Sequence, residues 1–286
     1  VVTNDGYFIY LLKIAASVAD ASIGAAQGAG ICYYLEGYDY SRIYGGKATL
    51  SFWVKSSKAG TYCVQFTSGG LDRSYVVEYT INTANTWEKK SITVDFTNPG
   101  GGTWNYTNST GLRVSWSMAM GSNWHGTANS WQAGNIISTS NQVNWFDSAS
   151  ATFYLTGVQF ERGEAVTRFE HRPFGQELAL CQRYYEKSAP YGTVPGSNGD
   201  SRVLFQGPIG NNYINIPFCV RKRAVGGTIK VWSTESPYTV AKAYDYTGSG
   251  ETNLSGTAFE GHMELIYSQT ATNHIYGCTW SVESEL

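Results

Sequence analysis

The chain has 286 residues and a formal net charge of −2, and only 15% of its residues are Asp, Glu, Lys or Arg. Its longest basic run is Arg221-Lys222-Arg223, which argues against a nucleic-acid partner gripped by its phosphates. No apolar stretch approaches the roughly 20 residues that a membrane-spanning helix needs.

Gly (32), Tyr (21) and Trp (9) are abundant. Few charges with many Gly, Tyr, Thr and Val point to an all-β protein with many tight turns. A chain of this length is expected to form one large or two medium domains, each able to bury its own core.

In chain order, the opening VVTNDGYFIYLLKIAASV has no cationic start, so it does not read as a signal peptide. It also lacks an initiator Met, and we expect the chain to begin inside a longer or processed protein. First strands are expected at Tyr7–Ile14 and Ile31–Leu35. Strict alternation follows: Leu50, Phe52 and Val54; Tyr62, Val64 and Phe66; Tyr75, Val77, Tyr79 and Ile81; Ile92, Val94 and Phe96; Leu112, Val114, Trp116 and Met118; Phe153 and Leu155. Side chains two apart share one face of a strand, so each run offers one apolar face to a core. Turn-like separators at 58–60, 68–70 and 98–102 complete the pattern of a sandwich or jelly roll.

From Asn98 to Asp147 the composition changes to Trp among Asn, Ser, Thr and Gly, and long surface loops are expected. Phe174–Lys187 carries Leu178, Cys181 and Tyr185 at helical spacing, with Pro173 before it and Glu177 in its first turn. Ser188–Asp200 reads as a linker. Alternation resumes at Tyr213–Phe218, Thr228–Trp232, Thr239–Tyr244, His262–Tyr267 and Ile275–Val282, enough for a second small β-sandwich. The expected division is a jelly roll at 1–165, a helical linker at 166–195 and a C-terminal β domain at 196–286.

The stretch Thr152–Lys187, TFYLTGVQFERGEAVTRFEHRPFGQELALCQRYYEK, resembles a segment of bacteriophage virion proteins, chiefly tail fibres and tail appendages. Their pattern is roughly GVQLExGxxATxFExRPxxxELxLCQRYY. YLEGYDYSRI (Tyr34–Ile43), ATLSFWVKSSKAGTY (Ala48–Tyr62), RSYVVEYTINTANTWEKKSITV (Arg73–Val94), WQAGN (Trp131–Asn135) and the final WSVESEL are similar to further segments of that group. The group's "IxQR…DRW"-like start is missing here. The resemblance implies a jelly roll similar to carbohydrate-binding modules, a small C-terminal β domain and a place on a virion. It also implies homotrimeric assembly with other virion proteins as partners and a host cell-surface glycan as target. A capsid decoration or head-fibre role is the alternative.

Sugars present apolar C–H faces and hydroxyl rims, which suit exposed indoles flanked by amides. Trp104, Tyr106, Trp124, His125, Trp131 and Trp145 are therefore the candidates, with Asn105 and Asn123 as polar partners. The competing reading is that these rings close the ends of the sandwich. Trp53 and Trp87 are assigned to the fold.

No catalytic arrangement stands out. Asp147, Glu161, Glu164 and Glu170 are expected to pair with Arg162, Arg168 and Arg172 rather than to form a hydrolytic carboxyl pair. There is no GxSxG elbow, and no cofactor is expected. Calcium through Asp5 or Glu36 stays open, without an EF-hand-like run. The five cysteines (32, 63, 181, 219 and 278) show no zinc spacing and are expected to be buried free thiols, with one long-range disulfide left open. Glu177, Gln182, Arg183 and Tyr184 are candidates for an oligomer interface.

Overall fold

In the computed structural model, the described residues are 2–3, 6–190, 192–197, 203–235, 240–248, 250–269 and 274–284. The chain divides into two units, Val1–His171 and Arg172–Glu285.

The first unit opens with a short ribbon, β1 (Val2–Thr3) with β2 (Gly6–Tyr7). It continues through β3 (Leu12–Ala15), β4 (Gly28–Glu36), the one-turn helix α1 (Gly37–Tyr40), β5 (Lys47–Ser56) and β6 (Gly60–Ser68). Then come β7 (Arg73–Ile81), β8 (Glu88–Asp95), β9 (Thr110–Met120), the short β10 (Trp131–Ala133) and β11 (Thr152–Arg162). One sheet has the order β3-β11-β5-β8, the other β10-β7-β6-β9-β4. All pairings within them are antiparallel. Leaving β10 aside and numbering the eight strands in chain order, the two sheets run 1-8-3-6 and 2-7-4-5, which is the jelly-roll connection.

The alternating residues do what their period requires. Leu50, Phe52, Val54, Tyr62, Val64, Phe66, Val94, Phe96, Leu112, Val114, Trp116 and Phe153 meet in one buried cluster between the sheets. Edge-to-face contacts of Phe52 with Trp116 (5.7 Å) and with Tyr79 (5.3 Å) lock its centre. The first strand is shorter than the alternation of Tyr7–Ile14 predicts. Residues 8–11 leave the sheet, and Phe8 packs instead on Phe169 and His171. A bulge in β11 makes this possible: Gly157 has φ +57°, and a Cβ there would lie 2.7 Å from the Phe8 ring.

The second unit holds α2 (Phe174–Gln182), β12 (Tyr185–Lys187), β13 (Val203–Phe205), β14 (Gly210–Pro217) and β15 (Thr228–Ser233). It is completed by β16 (Lys242–Asp245), β17 (Gly250–Ala258), β18 (His262–Gln269) and β19 (Tyr276–Glu283). β19 is the hub, flanked by β12, β13, β15 and β16. β17 pairs with β16 through residues 250–253 and with β18 through residues 254–258, so it carries one curled sheet round a single core. Tyr276, Cys278, Trp280, Val282, Met263, Leu265 and Tyr267 fill that core.

The expected 166–195 linker does not exist as one element. Thr167 and Glu170 bond back to Glu161 and Gln159 on β11, whereas β12 pairs with β19. The predicted helix also stops at Gln182, and Tyr185 lies in a strand. Leu178, Cys181 and Tyr185 are all exposed, so they form no buried stripe. Thr239, placed in a predicted strand, and Asp5, considered for calcium, fall outside the described residues.

Candidate functional site

The sequence candidates between Asn98 and Asp147 do not form one site. The structure distributes them over three places.

The first lies where β4 runs into α1. Asp72 fixes the loop that follows β8: its carboxylate accepts from Thr103 N (2.8 Å), Thr103 Oγ1 (2.6 Å) and Ser68 Oγ (2.6 Å). These hydrogen bonds hold its pKa down at about 2. The Arg73 Nε–H donates to Pro99 O at 2.7 Å. The loop then delivers Trp104 and Tyr106 onto Tyr40, both nearly parallel to it, with centroids at 5.1 and 5.8 Å. Close approach needs glycine on both sides of the contact. A Cβ on Gly37 would lie 2.6 Å from Asn105 Oδ1, and one on Gly111 would lie 2.6 Å from Tyr40 Cβ. Asn105 Oδ1 accepts from Thr107 N (2.8 Å), so this amide is committed to the turn.

Burial pushes the Tyr40 phenol far above its ordinary pKa. Trp104 is half-buried, and its indole nitrogen is enclosed without a protein partner. Trp131 packs edge-on to Trp104 (5.7 Å) and against Phe96 and Tyr75, and donates its N–H to Asp95 O at 2.9 Å. It closes the end of the sandwich. Outside this wall stand Tyr106 (40% exposed) and Tyr44 (42%), both against Tyr40, while Tyr38 (52%) is exposed in α1. Tyr106 and Tyr44 meet edge to face at 5.3 Å. Burial and the neighbouring Tyr44 raise the Tyr106 pKa. Tyr38 and Tyr44 escaped the sequence analysis. The density of Tyr in YYLEGYDYSRIY, residues 33–44, is the signal that could have found them.

The second place is the outward face of the five-stranded sheet. Residues 121–144 lie across it and seal it with polar contacts. Gln65 Nε2 donates to Asn135 Oδ1 (2.8 Å) and Ile136 O (2.7 Å), and Arg113 Nη2 donates to Asn135 Oδ1 (2.9 Å). Ser117 Oγ donates to Gln142 Oε1 (2.8 Å), and Thr139 Oγ1 to Glu78 Oε1 (2.5 Å). These loops are therefore a cover, not free surface. Asn123, Trp124 and His125 form its first turn. Asn123 is exposed, while Trp124 and His125 are half-buried. His125 Nε2–H donates to Met120 O at 2.9 Å. Trp124 O accepts from Ile137 N and Ser138 N.

The third place is the core. Trp145 is 0% exposed, packs on Phe146 at 4.9 Å and donates to Thr152 O at 3.4 Å. It cannot touch a sugar, which corrects its assignment as a candidate.

Asp147, Glu161 and Glu164 have partners other than those expected. Asp147 pairs with Lys58, and Glu164 with Lys47 at 3.0 Å. Glu161 accepts from Thr167 N (2.9 Å) and Oγ1 (2.6 Å), which together with Gln159 lower its pKa against the opposing effect of burial. Among the described residues, no group of three or more His, Cys, Asp or Glu is placed to hold a metal ion.

Of the interface candidates, Glu177 pairs with Arg172 at 3.4 Å. Gln182, Arg183 and Tyr184 are half-buried, and their carbonyls accept from Lys222 Nζ, Arg223 N and Ser284 N within the second unit. The outward apolar groups of α2 are instead Phe174 (69% exposed), Leu178 and Leu180. The cysteines are free; Cys63 and Cys278 are buried, whereas Cys32, Cys181 and Cys219 are exposed, against the expectation of five buried thiols.

No protein-family model matches the chain, and no curated protein matches it. Among solved structures, it aligns with the crystal structure of the PBSX exported protein XepA over 95% of this chain and 86% of that one, at 8% identity and a TM-score of 0.21. So distant a likeness fixes neither fold nor activity.

Proposed function

We propose that this chain is a non-enzymatic bacteriophage virion protein, a tail fibre or receptor-binding appendage, that recognises a host-surface glycan as a homotrimer. Its virion placement rests on the sequence resemblance around Thr152–Lys187. The observation that supports glycan recognition is the exposed pair Tyr44 and Tyr106, both in ring contact with buried Tyr40, with exposed Tyr38 two residues before it in α1. A tyrosine offers a ring for C–H stacking and a hydroxyl for hydrogen bonding, at low cost in conformational entropy. Each such site binds weakly, and several copies on one virion bind through avidity.

A glycan array and binding to host cell envelopes test this with the assembled full chain. Specific retention that Tyr106→Ala weakens supports it, and no retention by a correctly assembled oligomer counts against it.

The exposed apolar groups of α2 favour a second reading, a capsid decoration or head-fibre protein with an assembly role. Locating the protein on virions by electron microscopy separates tail from capsid.

A further inference from the structure

The outward face of the four-stranded sheet carries rings and lysines in register. On adjacent strands Tyr154 sits between Lys13 and Lys55, and in the next outward row Trp53 sits between Thr156 and Lys89. Trp87 precedes β8 and meets Tyr154 edge-on at 6.2 Å. Trp53, Trp87 and Tyr154 are half-buried, and Lys13 and Lys89 exposed. Trp53 and Trp87, which the sequence assigned to the fold, thus stand half-buried on its outward face.

Lys55 Nζ lies 4.4 Å from the Tyr154 centroid and 5.4 Å from that of Trp87, and Lys13 Nζ lies 5.8 Å from that of Tyr154. Neither Lys13 nor Lys55 has a carboxylate partner among the described residues. The acids that border the sheet are already engaged: Glu88 by Lys90 and Asn82, and Glu161 by Thr167, Gln159 and the field of Lys89. Exposed Tyr10 adjoins the patch, since its carbonyl accepts from Thr156 Oγ1 at 2.9 Å.

We infer that this face is a second binding site, for an anionic polysaccharide whose sugars carry carboxylate or phosphate groups. The rings take the C–H faces of the sugars, and the uncompensated ammonium groups of Lys13 and Lys55 meet the anionic substituents. Charge complementarity selects this occupant over a neutral glycan. The net charge of −2 and the lack of a long basic run select it over single-stranded nucleic acid, which combines stacking with a continuous cationic track. The site shares no residue with Tyr38, Tyr44 or Tyr106 and stands or falls without them.

Affinity electrophoresis of the full chain in gels containing polygalacturonate or phosphomannan tests the proposal, with neutral mannan and oligo(dT) alongside. Retardation by at least one polyanion is expected, relieved by salt, and weaker by about fivefold or more in the double variant Lys13→Gln/Lys55→Gln, which keeps the rings. Retardation by polygalacturonate alone assigns carboxylate, and by phosphomannan alone phosphate. Tyr106→Ala leaves this retardation unchanged, which separates it from failure of the first site. No retardation by either polyanion, equal retardation of the double variant, or stronger retardation by oligo(dT) at the same salt overturns the proposal.

Discussion

Tyr40 and Trp104 lie stacked at 5.1 Å with 18° between their ring planes, and Tyr40 is entirely buried. The loop that brings Trp104 there places Tyr106 on the same ring, exposed. One loop thus supplies both a structural ring and a surface ring, and substitution separates them. Trp104→Ala should destabilise the first unit by about 2–4 kcal/mol, as the loss of a large packed ring does. Tyr106→Ala should leave the urea midpoint nearly unchanged and weaken glycan retention by roughly fivefold or more. Equal destabilisation by both would place Tyr106 in the fold and remove it from the site.

Trp124 tests the covering loop in the same way. Its backbone carbonyl ties the turn to Ile137 N and Ser138 N. Trp124→Ala is expected to keep the cooperative unfolding transition and to leave glycan retention at the Tyr106 site unchanged. A collapse of amide protection across residues 121–144 in hydrogen exchange would show that the ring packs the cover instead.

Asp72 gives the loop at 97–103 a pH dependence. Its folded pKa of about 2 lies below its ordinary 3.8, so its contribution is complete above the ordinary value and fades as pH falls towards 2. Asp72→Asn should therefore flatten the acid limb of the stability curve between pH 4 and 2, in about that range, while increasing amide exchange at Thr103. An unchanged acid limb would mean that the hydrogen bonds to Ser68 and Thr103 do not persist in solution.

Much of the first unit was legible because every strand from β5 to β9 buries alternate large side chains, and period 2 is visible in one dimension. Strand β17, GETNLSGTA, buries only Leu254 and Ala258. Too few large residues alternate there to be seen. Tyr185 could not be placed because Leu178, Cys181 and Tyr185 fit a helix by spacing alone, whereas the pairing of β12 with β19 across about a hundred residues decides the matter. The tryptophans were ambiguous for a related reason. Trp145 and Trp124 sit in similar Asn/Ser-rich surroundings, and only distant partners bury one and not the other. The cover over the five-stranded sheet joins Gln65, Arg113 and Asn135, residues far apart in the chain. No local pattern marks such a network.

The second unit depends on one buried ion pair. Lys222 Nζ donates to Glu186 Oε2 at 2.6 Å and to Gln182 O at 2.5 Å, and lies 4.6 Å from the Phe218 ring centroid. Lys222→Met alone leaves Glu186 buried, with the Cys219 N–H and thiol as its remaining donors among the described residues. That should cost about 3–5 kcal/mol in chemical denaturation. Adding Glu186→Gln should recover a large part, because a neutral pair no longer strands a charge. Failure of the double variant to recover would mean that Lys222 acts through packing on Phe218 rather than through the charge.

The thiols should divide by environment rather than by position. Burial raises Cys63 to about 11 and Cys278 to about 12, so both are protonated and shielded at neutral pH and inert to a thiol reagent. Cys32, Cys181 and Cys219 are exposed. Burial and then Glu177 raise Cys181, while the Glu186 carboxylate raises Cys219. Modification of Cys181 and Cys219 should therefore stay slow at neutral pH and accelerate as the pH rises, following their thiolate fraction. Titration with an aromatic disulfide should show three accessible thiols in the native protein and all five after denaturation. Each native rate should assign to one cysteine through its Ser variant. Prompt reaction of Cys63 would mean that residues 121–144 open readily, because Thr139 of that cover sits on its sulfur at 3.8 Å. The thiol count thus reports on the cover itself, independently of any ligand.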